Sequence, residues 1–155
     1  MEKRGVIPQH CYFMLKGLVR EYQLIDGLEK NTAFYSEQNG AIPSINYMKQ
    51  TPARGYLVCS EDCLLLLGDA ENEAANFTRF PILEKIVARM VEENLYATKE
   101  DLEHRILSSP KEWYLHLLEQ QPTLLQRVHQ HQIASFLGIT PDSLSRIRKR
   151  LATER

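Results

Sequence analysis

The chain has 155 residues, 43% of them apolar and 25% charged, the composition of a folded globular protein, which excludes a disordered or collagen-like chain. That length holds one average domain or two small ones and excludes a large multidomain enzyme. Nineteen Lys and Arg against twenty Asp and Glu leave a formal net charge of −1, so bulk charge argues for neither nucleic acid nor an acidic membrane as partner.

The first half reads as short strands separated by turn chemistry. Strands are predicted at Tyr12–Leu15, Leu18–Ile25, Leu28–Tyr35, Tyr56–Cys59 and Leu64–Leu67. Asp26-Gly27 between two of them predicts a two-residue hairpin, because that turn needs positive φ at both central positions. Asn39-Gly40, Pro43 and Pro52 punctuate the interval that follows, with a helical turn expected near Ser44–Met48. The first strand begins close to the N-terminus, so the sheet is expected to lack earlier strands.

Three cysteines, Cys11, Cys59 and Cys63, without a secretory leader, point to a reducing, cytoplasmic setting. Cys59 and Cys63 have no neighbouring histidine pair, so buried apolar thiols are expected in place of a metal site. The longest apolar run, Leu64–Leu67, is far short of the roughly 20 residues a membrane helix requires.

From Arg79 the period lengthens to that of a helix. Phe80, Leu83, Val87, Met90, Asn94 and Ala97 fall on alternating steps of three and four, the seam of a helix pair, with Ile82 and Ile86 beside it. Burial within one chain explains the same pattern. A lone asparagine in the seam favours a two-stranded pair, since it fixes register at a cost in stability. Residues 61–104 hold eleven acids against four bases, whereas residues 140–151 carry Arg146, Arg148, Lys149 and Arg150 against Asp142 alone. One basic element on an acidic body suits a single segment that meets phosphate.

Ser109, Pro110 and Glu112 form a predicted capping box and place a hinge before the helix that carries Trp113, Tyr114, Leu117 and Leu118. Further on, Ile133, Leu137, Leu144, Ile147 and Leu151 make an apolar face interrupted by Gly138. Two short helices are expected to cross there, Ala134 permitting close approach, Gly138 turning, Thr140 capping and Pro141 opening the second. With Leu144, Ile147 and Leu151 buried, Asp142, Ser145, Arg146 and Lys149 line the opposite face at i, i+3, i+4 and i+7. Such a stripe suits a major groove: arginine bonds guanine twice, aspartate accepts from cytosine, and serine reaches base or phosphate. Arg146 is the expected base reader, helped by Asp142 and Ser145, while Arg148, Lys149 and Arg150 contact phosphate; Thr140 and Ser143 complete the DNA-facing set. A two-helix corner whose basic end merely complements a helix dipole would share the pattern. His129 and His131, two apart, are expected on different faces and at the surface.

The stretch IASFLGITPDSLSRIRK, Ile133–Lys149, preceded by Ser109-Pro110 and Trp113-Tyr114, resembles the C-terminal domain of Crp/Fnr-type transcription regulators. Tyr12–Arg20 resembles the strand–Gly–strand signature of that family's cyclic-nucleotide-binding β-roll, and Phe80–Ile106 stands where the family has its dimerisation helix. The resemblance implies an α+β fold: a shortened antiparallel β-roll over residues 1–78, a long dimerisation helix over 79–107 using Phe80, Leu83, Val87, Met90 and Asn94, and a helix-turn-helix domain over 108–155. It implies a homodimer on double-stranded DNA, with RNA polymerase as a further partner and an effector left unidentified.

Two departures qualify what it implies. The cyclic-AMP pattern of Gly-Glu followed by Arg-Ser or Arg-Thr is missing; Ser36–Ala41 and Pro52–Gly55 stand in its place, with Arg54 as the candidate cation and Glu37 on the wrong side of its glycine. No tight cyclic-AMP binding is therefore expected. Only Pro122–Val128 remains where relatives carry a β-hairpin wing. No nucleophile–base pair, phosphate loop or paired carboxylates suggest an enzyme, and no cofactor or metal is expected. The competing reading is a non-catalytic interaction protein whose β-roll dimerises and whose C-terminal corner binds a protein such as polymerase.

Overall fold

Turn chemistry divides the first half of the chain as its sequence predicts. Asp26 and Gly27 take φ of 52° and 78° and join β2 (Leu18–Ile25) to β3 (Leu28–Ser36) in the predicted hairpin. Gly17 alone separates β1 (Cys11–Lys16) from β2. Its φ is 112°, and a Cβ there would stand 2.6 Å from Cys63 Sγ and 2.8 Å from the Asp62 carbonyl, so both backbone and space demand glycine. The computed structural model describes residues 1–153, and the side chains of all of these but residues 70 and 71; the last two residues of the predicted C-terminal domain lie outside it.

β4 (Ala41–Ile42), α1 (Ile45–Lys49), β5 (Tyr56–Cys59) and β6 (Leu64–Gly68) complete two three-stranded antiparallel sheets, ordered β4-β1-β6 and β3-β2-β5. Tyr12, Met14, Val19, Ile42 and Leu57 form a small core. Opposite Glu21 the register slips, leaving Thr32 as an extra residue on β3, a β-bulge.

The helical half holds α2 (Ala70–Arg79) and α3 (Pro81–Leu107), the latter 27 residues and thus roughly 40 Å long. α2 lies where the sequence pattern places the end of the β half. Asp69 caps it by accepting the Asn72 N–H at 2.8 Å, and Phe80 separates it from α3, which Pro81 opens. At α4 (Pro110–Gln120) the predicted capping box is present: Ser109 Oγ accepts the Glu112 N–H at 3.3 Å, and Glu112 Oε2 accepts that of Ser109 at 2.8 Å. α5 (Pro122–Arg127), α6 (Gln130–Phe136) and α7 (Pro141–Thr153) follow.

The second core crosses the predicted hinge. Trp113, Tyr114, Leu117 and Leu144 of the C-terminal helices share one buried cluster with Leu18 and Phe34 of the β2–β3 hairpin. The Phe34 and Phe136 rings meet edge-on, 5.3 Å between centroids. Among the described residues no helix is long and apolar enough to cross a membrane.

Candidate nucleic-acid interface

The two-helix corner is built from local bonds. Gly138, at φ 70°, turns the chain after α6, and its N–H reaches the Ser135 carbonyl at 3.2 Å while the Ile139 N–H reaches that of Ala134 at 3.0 Å. Thr140 Oγ1 accepts the Ser143 N–H at 3.2 Å, and Pro141 opens α7. Ala134 and Leu144 are fully buried between the helices, with Ile147 and Leu151 packed against the same core.

The opposite face of α7 is open. Thr140, Asp142, Ser145, Arg146, Arg148, Lys149 and Arg150 are exposed, and Ser143 is half-buried. Arg146 Nη2 donates to Ser143 Oγ at 3.4 Å, and among the described residues no ion pair holds Arg146, Arg148, Lys149 or Arg150. The residues singled out from spacing thus share one solvent-facing surface of a single helix.

What the sequence did not disclose is where this corner sits. Ser135 Oγ, on α6, accepts the Asn31 N–H at 3.1 Å and donates to the Glu29 carbonyl at 2.9 Å, while Asn31 Nδ2 donates to the Gln132 carbonyl at 3.2 Å. Arg20, buried on β2 and paired with Glu29, donates to Asn31 Oδ1 at 3.0 Å and so orients that amide. Arg105 near the end of α3 lies over the Trp113 and Phe136 rings at 4.7 and 4.9 Å and donates to the Thr32 carbonyl at 3.4 Å; burial lowers its pKa.

Arg127 on α5 closes the opposite side of this junction by pairing with both Glu37 and Glu61. Glu37 also accepts the Gly17 N–H at 2.8 Å. The Arg127 guanidinium, helped by that N–H, holds the Glu37 carboxyl at about 2, below its ordinary 4.5. A carboxyl depressed on folding stabilises fully above its unfolded pKa, and that contribution is lost as pH falls through the folded one. Acid unfolding between about 4.5 and about 2 should therefore be flatter in Arg127→Ala than in the parent chain. Superimposable acid limbs in thermal melts would deny this pair any part in acid stability.

On α3 the predicted seam divides. Phe80 and Leu83 are exposed and Val87 half-buried, but Met90 and Asn94 turn inward to their own β-roll. Met90 packs directly over Gly40, and Asn94 Nδ2 donates to the carbonyls of Asn39, Ala41 and Met90 at 3.2, 3.1 and 3.0 Å. The assignment of Met90 and Asn94 to a helix–helix seam is thereby corrected: the asparagine satisfies carbonyls of its own chain. The stripe that does face outward runs through Val91, Leu95, Leu102 and Ile106, and no residue of α3 is buried.

Arg54, the expected effector cation, is exposed and lines none of the cavities of about 320, 230 and 670 Å³. Two smaller expectations change. Cys59 is exposed and Cys63 half-buried, where buried thiols were expected. His129 and His131 stack with ring centroids 5.7 Å apart, because His129 precedes α6 and escapes the helical spacing rule.

Solved structures of other proteins share this α+β architecture, two small antiparallel sheets followed by C-terminal helices. FixK2 from Bradyrhizobium japonicum superposes with a TM-score of 0.75 at 17% identity, over 99% of this chain and 80% of that one. A mutant of CooA from Carboxydothermus hydrogenoformans gives 0.71 at 16% identity, over 99% and 72% of the two chains. CLP from Xanthomonas campestris, described as a c-di-GMP responsive global regulator, gives 0.69 at 17% identity, over 98% and 82%. At these identities the likeness defines the fold. No family model matches the chain, and no curated protein sequence does.

Proposed function

We propose that the chain is a non-enzymatic, DNA-binding transcription regulator of the Crp/Fnr type, acting as a homodimer on a near-palindromic operator. The observation that carries this reading is the open polar face of α7, where Asp142, Ser145, Arg146 and Lys149 project to solvent over the buried Leu144. The shared architecture with regulators such as FixK2 and CLP supports it. One α7 per half-site, with half-sites about one helical turn apart, is the geometry such a pair requires.

The outward stripe of α3 supports the dimer. Leu95, Leu102 and Ile106 are 66%, 53% and 70% exposed, too much contiguous apolar surface to leave in water. Val91 and Leu95 also wall an apolar groove of about 670 Å³ beside Phe13 and Met48. Sedimentation is expected to show a dimer that Leu95→Glu with Leu102→Glu converts to a monomer; a parent chain that sediments as a monomer would end this part of the proposal. Glu37, which stands near the family's ligand cassette, is committed to Arg127, which supports the reading that cyclic AMP is not bound tightly.

The test is the salt dependence of binding to random duplex. Each phosphate neutralised contributes about −0.9 to the slope of log affinity on log salt, so a dimer using Arg148, Lys149 and Arg150 should lose affinity steeply as salt rises. Failure to bind duplex in dilute buffer would transfer the corner to a protein partner.

A further inference from the structure

A cavity of about 230 Å³ lies between the start of α1 and β5, and two carboxylates face it, Glu2 and Glu21. Neither is there by accident of a mobile side chain. Glu2 is locked to β5 by paired main-chain bonds with Leu57, each 3.1 Å, and its side chain is buried with the residue 9% exposed. Among the described residues no donor reaches Glu2 Oε1. Glu21 projects at the β-bulge, where its Oε2 accepts the Tyr35 hydroxyl at 3.0 Å; burial raises its pKa, opposed by that bond and reinforced by the charge of Glu2. No lysine or arginine lines the cavity; its remaining walls include Ile45, Tyr56 and Leu57, with Asn46 as a further polar group.

A buried and a half-buried carboxylate sharing a cavity repel one another, and a buried carboxylate oxygen without a donor is costly. A cation relieves both. Apolar walls suit methylene groups better than the hydration shell of a metal, and no cluster of three or more His, Cys, Asp or Glu fit to hold a metal occurs among the described residues. We infer that this cavity binds a small alkylammonium or alkyldiammonium ion, the nitrogen donating to Glu2 and Glu21 and the carbon chain lying against Ile45, Tyr56 and Leu57. The site belongs to the β-roll and stands independently of the DNA-binding reading.

Titration calorimetry of the whole chain with 1,4-diaminobutane tests it. One saturable event per chain is expected, accompanied by shifts in the Tyr56 and Leu57 resonances. Glu2→Gln and Glu21→Gln keep side-chain shape and remove charge, and each should weaken binding about tenfold or more, the loss of one charge-assisted hydrogen bond. Absence of saturable heat and of shifts at millimolar amine overturns the inference even if neither variant folds. So does affinity unchanged in both variants, or a response to calcium or magnesium without one to the amine.

Discussion

Leu144→Ala is expected to lower the stability of the chain by about 2–5 kcal/mol and to abolish duplex binding at temperatures where the parent protein binds. Leu144 is 0% exposed and enters α7 one turn after Thr140, where it fills the space between α6 and α4 in the cluster of Trp113, Leu117 and Ile133. Truncation removes its dispersion contacts and leaves a void that the cap at Thr140 and the turn at Gly138 prevent from closing. Because Leu18 and Phe34 belong to the same cluster, the loss should propagate into the β-hairpin, and urea unfolding should shift as one transition, not two. Ser145→Ala, on the exposed side of the same helix, should change stability by no more than about 0.5 kcal/mol. A Leu144→Ala variant within about 1 kcal/mol of the parent chain would mean that the corner is not packed as described.

The features legible in the sequence are those whose cause lies within a few residues of their effect. Asp26-Gly27 makes its own turn, Ser109 and Glu112 cap one another, and Gly138, Thr140 and Pro141 end one helix and begin the next. The α7 face followed, because a 3.6-residue period with Leu144 inward leaves Arg146 outward. The features that were not legible depend on partners far along the chain. Met90 and Val91 are adjacent, and both fit an apolar stripe; what turns Met90 inward is the bare backbone of Gly40, with the carbonyls of Asn39 and Ala41 drawing Asn94 the same way. Periodicity finds a stripe and is silent on which of two neighbouring stripes the β-roll claims.

The seat of the C-terminal corner illustrates the same limit more strongly. Ser135 reads as an ordinary polar position on a helix, yet its hydroxyl bridges the Asn31 N–H and the Glu29 carbonyl on the hairpin. Those groups lie on β3 near the Asp26-Gly27 turn, the edge strand of the sheet β3-β2-β5, whose outer main-chain groups lack a neighbouring strand and need partners. The hairpin's unpaired edge, more than any property of α6, makes this the docking place. Arg105 and Arg127 then hold its two flanks through aromatic faces and carboxylates, side chains whose roles no local pattern announces.

Arg146→Ala is expected to cost about 1–3 kcal/mol at each half-site of the operator and to relax the preference at one base pair. Arg146 leaves α7 in its second turn, exposed and, among the described residues, tethered only by a 3.4 Å bond to Ser143 Oγ, so its planar fork can turn to a guanine edge at little cost. Lys149, one turn further on the same face, should behave differently: Lys149→Ala should weaken all duplexes alike and reduce the salt slope by about 1 for each phosphate left without its ammonium. Stability should hardly respond to either change, since both side chains are exposed and neither belongs to an ion pair among the described residues. Selection of bound sequences from a randomised duplex library, carried out with the parent chain and both variants, separates the two roles. Uniform weakening in Arg146→Ala, with the preferred sequence intact, would make Arg146 a backbone contact and shift base reading to Asp142 or Ser145.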